Sequence, residues 1–181
     1  MQRKKSVAGK LFMLALVAVA TLSLVALSGC GDTGEKEGSQ KTAPINVTDF
    51  RGVELTLEKP AKRIACMLDS ALTQLHMLGV VDEVVAVDNW TYENEGLAYS
   101  AKIDPRLADK SLPAVTGNIE ALVGLKPDVV IIWAQHEDIK KIEEQGLKVY
   151  GVQINKFDDI YKELEDLGKM TGKEDRAQEL I

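Results

Sequence analysis

The chain has 181 residues, with 22 Lys plus Arg against 28 Asp plus Glu and a formal net charge of −6. That acidic balance excludes nucleic acid, and an anionic bilayer surface, as the main partner. The two cysteines, Cys30 and Cys66, cannot form a zinc or redox cluster, so no metal site is expected.

Residues 1–29 carry Arg3, Lys4, Lys5 and Lys10, then an apolar run over 11–27, then Ser28-Gly29 before Cys30. A basic start, an apolar stretch and small residues before a cut make a secretory signal peptide. The alternative is a retained anchor helix, because the run is about as long as a short membrane span. Leu27-Ser-Gly-Cys30 resembles the lipobox of bacterial lipoproteins. The resemblance implies lipidation of Cys30, which becomes the first mature residue on the extracytoplasmic face of the cell membrane. Two acyl chains anchor durably, since each buried CH₂ contributes about 0.8 kcal/mol. Losing the four basic residues takes the net charge from −6 to −10. Cys66 then has no intrachain partner and reads as a buried thiol acting as a small hydrophobe. Residues 30–43 are Gly, Ser, Glu and Lys with almost nothing apolar, a disordered tether.

The globular part begins near Pro44 and holds about 138 residues, enough for one domain with a real core. Residues 46–57 read as a hairpin: Val53, Leu55 and Leu57 alternate with Glu54 and Thr56, and Arg51-Gly52 offers the turn. Lys59-Pro60 ends it. Residues 63–68 form the first core strand. Asp69-Ser70 can cap a helix with Ala71, Leu72, Leu75 and Leu78 on one face and Gly79 as its stop. His76 sits beside that stripe as a core-edge residue. A second strand covers 84–87. Residues 88–113 are a long polar connection carrying Trp90, Tyr92, Glu93, Glu95 and Tyr99, with one helical turn over 104–109. Connections of this length are uncommon and often functional.

The stretch 118–133 organises the rest. Ile119, Leu122, Val123 and Leu125 recur at helical spacing, Asn118 is a good N-cap, and Glu120 suits the helix dipole. Pro127 stops the helix and pushes Lys126 out of the helical region. Val129 to Ile132 is an unbroken β-branched run, the mark of a strand buried on both faces. Residues 137–145 form a further helix and 147–152 a third buried strand. Asn155 can cap another helix with Phe157, Ile160, Tyr161, Leu164 and Leu167 on its stripe. Thr171-Gly-Lys-Glu174 reads as a capping box for a last helix that reaches Leu180-Ile181 without a C-cap, as if the natural chain continued. Alternating strands and helices predict an α/β fold: a three-layer, Rossmann-like parallel sheet behind an N-terminal β-hairpin.

Phosphate-binding glycine loops and a Gly-x-Ser-x-Gly elbow are missing from the sequence. Glu93, Glu95 and Asp138 read as solvated charges rather than acid–base pairs. With no nucleophile, base and oxyanion constellation, no catalytic residue is assigned and an enzyme is not expected.

The order of motifs carries a family resemblance. Val47-Thr-Asp-Phe-Arg-Gly-Val-Glu-Leu-Thr-Leu57, Pro60-Ala-Lys-Arg-Ile64 and Asn118-Ile-Glu-Ala-Leu-Val-Gly-Leu-Lys-Pro-Asp-Val-Val-Ile132 resemble the substrate-binding proteins of ABC importers for iron–siderophore complexes, haem and cobalamin. The resemblance runs from Asn46 to the end, and its most specific block starts at Asn118. It implies two α/β lobes joined by one long helix. Residues 44–172 would be the N-terminal lobe and 173–181 the first turns of that helix, cut short. Ligand, an iron chelate, haem or cobalamin, would be bound by a monomer between the lobes, with no resident cofactor. The ABC permease and ATPase would be partners, and Glu120, in the Asn-x-Glu position, would meet arginines of the permease. Strand ends and following loops would line the cleft: Asp69, Ser70, Asn89, Trp90, Tyr92, Thr116, Gly117, Asn118, Trp133, Gln135 and His136. Thr116-Gly117 is shorter than the family's usual segment there, which leaves ligand identity open. The competing readings are a flavodoxin-like or dehydrogenase-type exported enzyme, which bound flavin or nicotinamide would reveal, and a lipoprotein for sensing or adhesion, which would lack a neighbouring permease and ATPase.

Overall fold

The structure, a computed structural model, describes residues 43–93 and 97–181. The signal peptide, Cys30, the tether up to residue 42 and Glu95 lie outside them. β1 (Ile45–Thr48) pairs antiparallel with β2 (Glu54–Leu57), with Val47 opposite Leu55 and Ile45 opposite Leu57. Val47, Leu55 and Leu57 are buried, but Val53 falls in the turn and is exposed. The buried Asp49 builds that turn: its Oδ1 accepts the backbone N–H of Arg51 at 2.8 Å and of Val53 at 3.0 Å. Gly52 takes a φ of 80° that a side chain would resist. The Val-Thr-Asp-x-x-Gly motif is therefore turn chemistry.

Four parallel strands follow: β3 (Ile64–Cys66), β4 (Val84–Val87), β5 (Val129–Trp133) and β6 (Val149–Val152), in the order β4-β3-β5-β6. The helices, in chain order, are α1 (Asp69–Met77), α2 (Asn89–Glu93), α3 (Leu97–Ile103), α4 (Pro105–Ala108), α5 (Ile119–Gly124), α6 (Ile139–Glu144), α7 (Phe157–Thr171) and α8 (Glu174–Leu180). One sheet face, with Ile64, Cys66, Ile131 and Tyr150, packs on α1, α7 and the hairpin. The other, with Ala65, Val130 and Ile132, packs on Leu122 of α5 and on Ile139 and Ile142 of α6. This is the expected three-layer α/β arrangement with its hairpin.

The hairpin is fastened to the sheet. Asp49 Oδ2 accepts the Gly151 N–H at 3.1 Å and the Arg51 Nε–H at 2.6 Å, and Arg51 also reaches Glu143 at 2.8 Å. A Cβ at Gly151 would lie 2.8 Å from Arg51 Nε, so the missing side chain is what lets the hairpin sit on β6. The Lys-Pro-Asp break has a similar explanation. Asp128 Oδ2 accepts the backbone N–H groups of Lys62 and Arg63 at 2.8 and 2.9 Å, and Asp128 N–H donates to Arg63 O at 2.7 Å. The starts of β3 and β5 are thereby aligned.

Several local expectations change. Lys126 leaves the helix with a φ of 48°, in the left-handed region rather than the extended one that a following proline favours; it plays the part glycine takes after many helices. Within the expected long connection, Asn89–Glu93, Leu97–Ile103 and Pro105–Ala108 are helical, as α2, α3 and α4, the last capped by Asp104, whose carboxylate accepts the Arg106 N–H at 3.0 Å. Asp69 and Ser70 do not cap α1; Leu68 holds the cap position and both residues lie in the first turn. Asn155 does not cap α7. Asp159 reaches back to accept the N–H groups of Asn155 and Lys156 at 2.8 and 3.1 Å. Phe157, Ile160 and Tyr161 are exposed, and the α7 stripe is buried only from Glu163 onward. Thr171 is not a cap either: its hydroxyl donates to Leu167 O at 2.7 Å inside α7, and Gly172 ends that helix at a φ of 68°.

Among the described residues, three buried side chains on α1 and α7 carry a polar atom without a hydrogen-bond partner. His76 is 8% exposed, and its Nε2 has no hydrogen-bond partner among the described residues. Gln74 on α1 donates from Nε2 to Glu163 Oε2 on α7 at 2.6 Å. The other two oxygens of that pair, Gln74 Oε1 and Glu163 Oε1, are buried without a partner among the described residues. Burial pushes the Glu163 carboxyl up to about 7, against the pull of the Gln74 hydrogen bond. Cys66 is fully buried, as expected of a small hydrophobe; burial raises its thiol pKa well above the usual range.

Candidate ligand-binding site

From β3 the chain moves to β4 on one side, then returns past β3 to β5 on the other. The strand order therefore reverses between β3 and β5. In an open parallel sheet, that reversal leaves a crevice beyond the strand C-termini, because successive crossovers diverge from it. A recess occupies this position. An open trough of about 430 Å³ is lined by Met67, Leu68, Asp69, Ser70, Asp88 and Trp90. It shares Met67 and Asp88 with a small, deeper pocket of about 20 Å³, whose polar lining includes Thr116, Asn118, His136 and Asp138.

The loop chemistry is set by Asp88, at the end of β4. Its Oδ1 accepts the Trp90 N–H and its Oδ2 accepts the Thr116 hydroxyl, both at 2.7 Å. Thr116 Oγ1 in turn accepts the Asn89 N–H at 2.8 Å. This chain of bonds ties the start of α2 to the segment before α5, which is why residues 28 apart share one wall. Asp69 Oδ1 accepts the Thr91 hydroxyl at 2.8 Å. Asn118 caps α5 through Oδ1, accepting the Ala121 N–H at 2.9 Å, as its position in the sequence predicts. His136 Nδ1 accepts the Asp138 N–H at 3.2 Å. The Asp138 carboxylate pairs with Lys141 at 2.7 Å; that bond holds it below the usual carboxylate range.

The expected residues divide accordingly. Asp69, Ser70, Trp90, Thr116, Gly117, Asn118 and His136 meet along the recess, and Asn89 contributes a backbone bond beside it. Trp90 is 62% exposed, a free indole surface for a flat or apolar ligand face. Tyr92 is not among the residues lining the recess: its hydroxyl donates to Leu112 O at 2.6 Å and its ring packs against the core. Trp133, 48% exposed at the end of β5, lies outside the recess, and Gln135 pairs with Gln153 at 3.1 Å. Met67, Asp88 and Asp138 were missed. For the first two, the signal was their position at the C-terminal ends of predicted strands.

Glu120 sits elsewhere. It is exposed in the first turn of α5 and lines a separate groove of about 500 Å³ between α5 and α6, with Val123, Lys141 and Glu144. Ile119 lines both this groove and the deeper pocket, so Glu120 follows a recess residue in the chain but lines the other side of α5.

The profile of the periplasmic binding proteins matches residues 64–181. The chain belongs to that family. It is 30% identical over 176 residues to an uncharacterized ABC transporter substrate-binding lipoprotein, YvrC, of Bacillus subtilis, covering 91% of this chain and 53% of that protein. It is 29% identical over 166 residues to the iron(3+)-hydroxamate-binding protein FhuD of the same organism, covering 90% and 50%. A periplasmic solute binding protein from Veillonella parvula superposes with a TM-score of 0.63 at 25% identity, covering 76% of this chain and 44% of that one. The chain spans about half the length of the curated relatives it matches. Those relatives are substrate-binding proteins, not enzymes.

Proposed function

We propose that this chain is the lipid-anchored substrate-binding component of an ABC importer. It captures an iron chelate, haem or cobalamin outside the cytoplasmic membrane and delivers it to the permease and its ATPase. The observation that carries this reading is the recess at the β3/β5 reversal in a chain of the periplasmic binding protein family. The described lobe supplies one wall of the cleft and a second lobe supplies the other, with α8 as the start of the helix between them. Half-length matches to the relatives support that division. The lipobox at Cys30 and the lipoprotein relative support the anchor. The exposure of Glu120, in a groove apart from the recess lining, supports its meeting a permease arginine while the recess holds ligand.

The test is native mass spectrometry of the full-length mature protein, followed by tryptophan-quenching titrations with ferric siderophores, haem, cobalamin and oxyanions. Trp90 at the recess makes quenching a direct readout. Saturable binding of one chelate or corrinoid is expected. Failure to bind any of them would overturn the reading.

A further inference from the structure

Resting on that reading, we infer that His136 is a fixed hydrogen-bond donor that reads an oxygen acceptor on the ligand, and not a metal ligand. The geometry is local. His136 Nδ1 faces the backbone N–H of Asp138 and accepts from it at 3.2 Å. A neutral imidazole that accepts at Nδ1 carries its hydrogen at Nε2. The edge of the ring left for a ligand is therefore an N–H. Coordinating a metal through Nε2 requires the opposite tautomer, with hydrogen on Nδ1 donated to a carboxylate, carbonyl or water. Here that hydrogen would collide with the Asp138 N–H. A carboxylate that could reverse this arrangement is already engaged, because Asp138 is paired with Lys141 at 2.7 Å.

Other polar side chains of the recess are tied into the lobe. Each carboxylate lining it is bonded within the lobe: Asp69 to Thr91, Asp88 to Trp90 N–H and Thr116, Asp138 to Lys141. The Asn118 oxygen is committed to its helix cap, so the side chain has its amide N–H groups to offer. The His136 ring and the Asn118 amide therefore each have an N–H to offer at the recess. Those N–H groups suit an oxygen acceptor on an intact chelate: a carboxylate, carbonyl or hydroxamate oxygen.

The test uses the full-length mature protein. In mildly alkaline solution, long-range ¹H–¹⁵N correlation spectra should show His136 as the Nε2–H tautomer with Nδ1 hydrogen-bonded. An Nδ1–H tautomer overturns the inference. Binding is then measured with a ferric trihydroxamate complex, ferric citrate and Zn²⁺ alone. His136→Leu should weaken the bound chelate about three- to tenfold, the loss of one hydrogen bond, while His136→Gln, which keeps an N–H donor, should stay within about threefold of wild type. Equal binding by wild type and His136→Leu, or Zn²⁺ binding that His136→Leu abolishes, overturns the donor role. Failure of the importer reading looks different: wild type binds no chelate although the tautomer is as stated.

Discussion

Glu163→Gln is the most informative single change in the core. Glu163 on α7 is fully buried, and its partner Gln74 on α1 is 7% exposed. In the ionised state the pair has one hydrogen bond and two stranded oxygens. A proton on Glu163 Oε1 could be donated to Gln74 Oε1, which would satisfy both and close an acid–amide ring between the helices. The carboxyl is pushed from its ordinary 4.5 to about 7 by burial. Below 4.5 the folded and unfolded chains are both protonated, and the shift costs nothing. As pH rises from 4.5 to 7 the unfolded chain ionises first and stability falls. Above 7 the loss is complete, on the order of 3 kcal/mol at about 1.36 kcal/mol per pKa unit. A glutamine can donate its amide N–H where the acid donates its proton, at every pH. Urea unfolding followed by far-UV circular dichroism should give equal stabilities for wild type and Glu163→Gln near pH 4, with the variant ahead by up to about 3 kcal/mol near pH 8.5. Groups common to both proteins cancel in the difference. A difference that does not change with pH, or a variant less stable at alkaline pH, would refute the acid–amide pair.

Gly151→Ala should destabilise by about 1–3 kcal/mol, since the added Cβ meets Arg51 Nε at 2.8 Å and the hairpin must lift from β6; a urea midpoint unchanged from wild type would count against the close contact. Asp128→Ala strands the Lys62 and Arg63 N–H groups and should cost about 1–3 kcal/mol in the same assay. Glu120→Lys should leave stability within about 0.5 kcal/mol and ligand affinity unchanged, because the side chain is exposed and outside the recess. It should lower permease-stimulated ATP hydrolysis, and stimulation at the wild-type level would remove Glu120 from the docking surface.

Patterns within one segment were legible before the structure. The alternation in the hairpin, the β-branched run of β5 and the Asn118 cap are decided by residues two to four apart; the last two are found as read, and the first holds at Leu55 and Leu57 but not at Val53. The family motifs were legible too, and the structure supplies their physics: Asp49 builds a turn, and Asp128 aligns two strands. What local patterns misjudged were groups whose partners come from distant sequence. Thr171 and Glu174 have capping-box spacing, but a sharp turn at Gly172 separates them. Phe157 has core spacing, yet it lies in the first turn of α7, ahead of the buried stretch of that helix.

The sequence by itself determined the fold class, the order of the strands and the family, because hydrophobic period and turn chemistry act over short chain distances. The tertiary structure alone decided which polar groups remain for a ligand. In a linear reading Thr116 and Asn118 look like ligand-binding residues, and Asp88 and Asp138 do not. Only the fold brings Thr116 to Asp88 across 28 residues and sets the Asp138 N–H against His136, which leaves that ring its other nitrogen for a ligand. A hydrogen bond satisfied inside the lobe is unavailable to a ligand, and which bonds are satisfied is a property of three-dimensional proximity, not of sequence spacing.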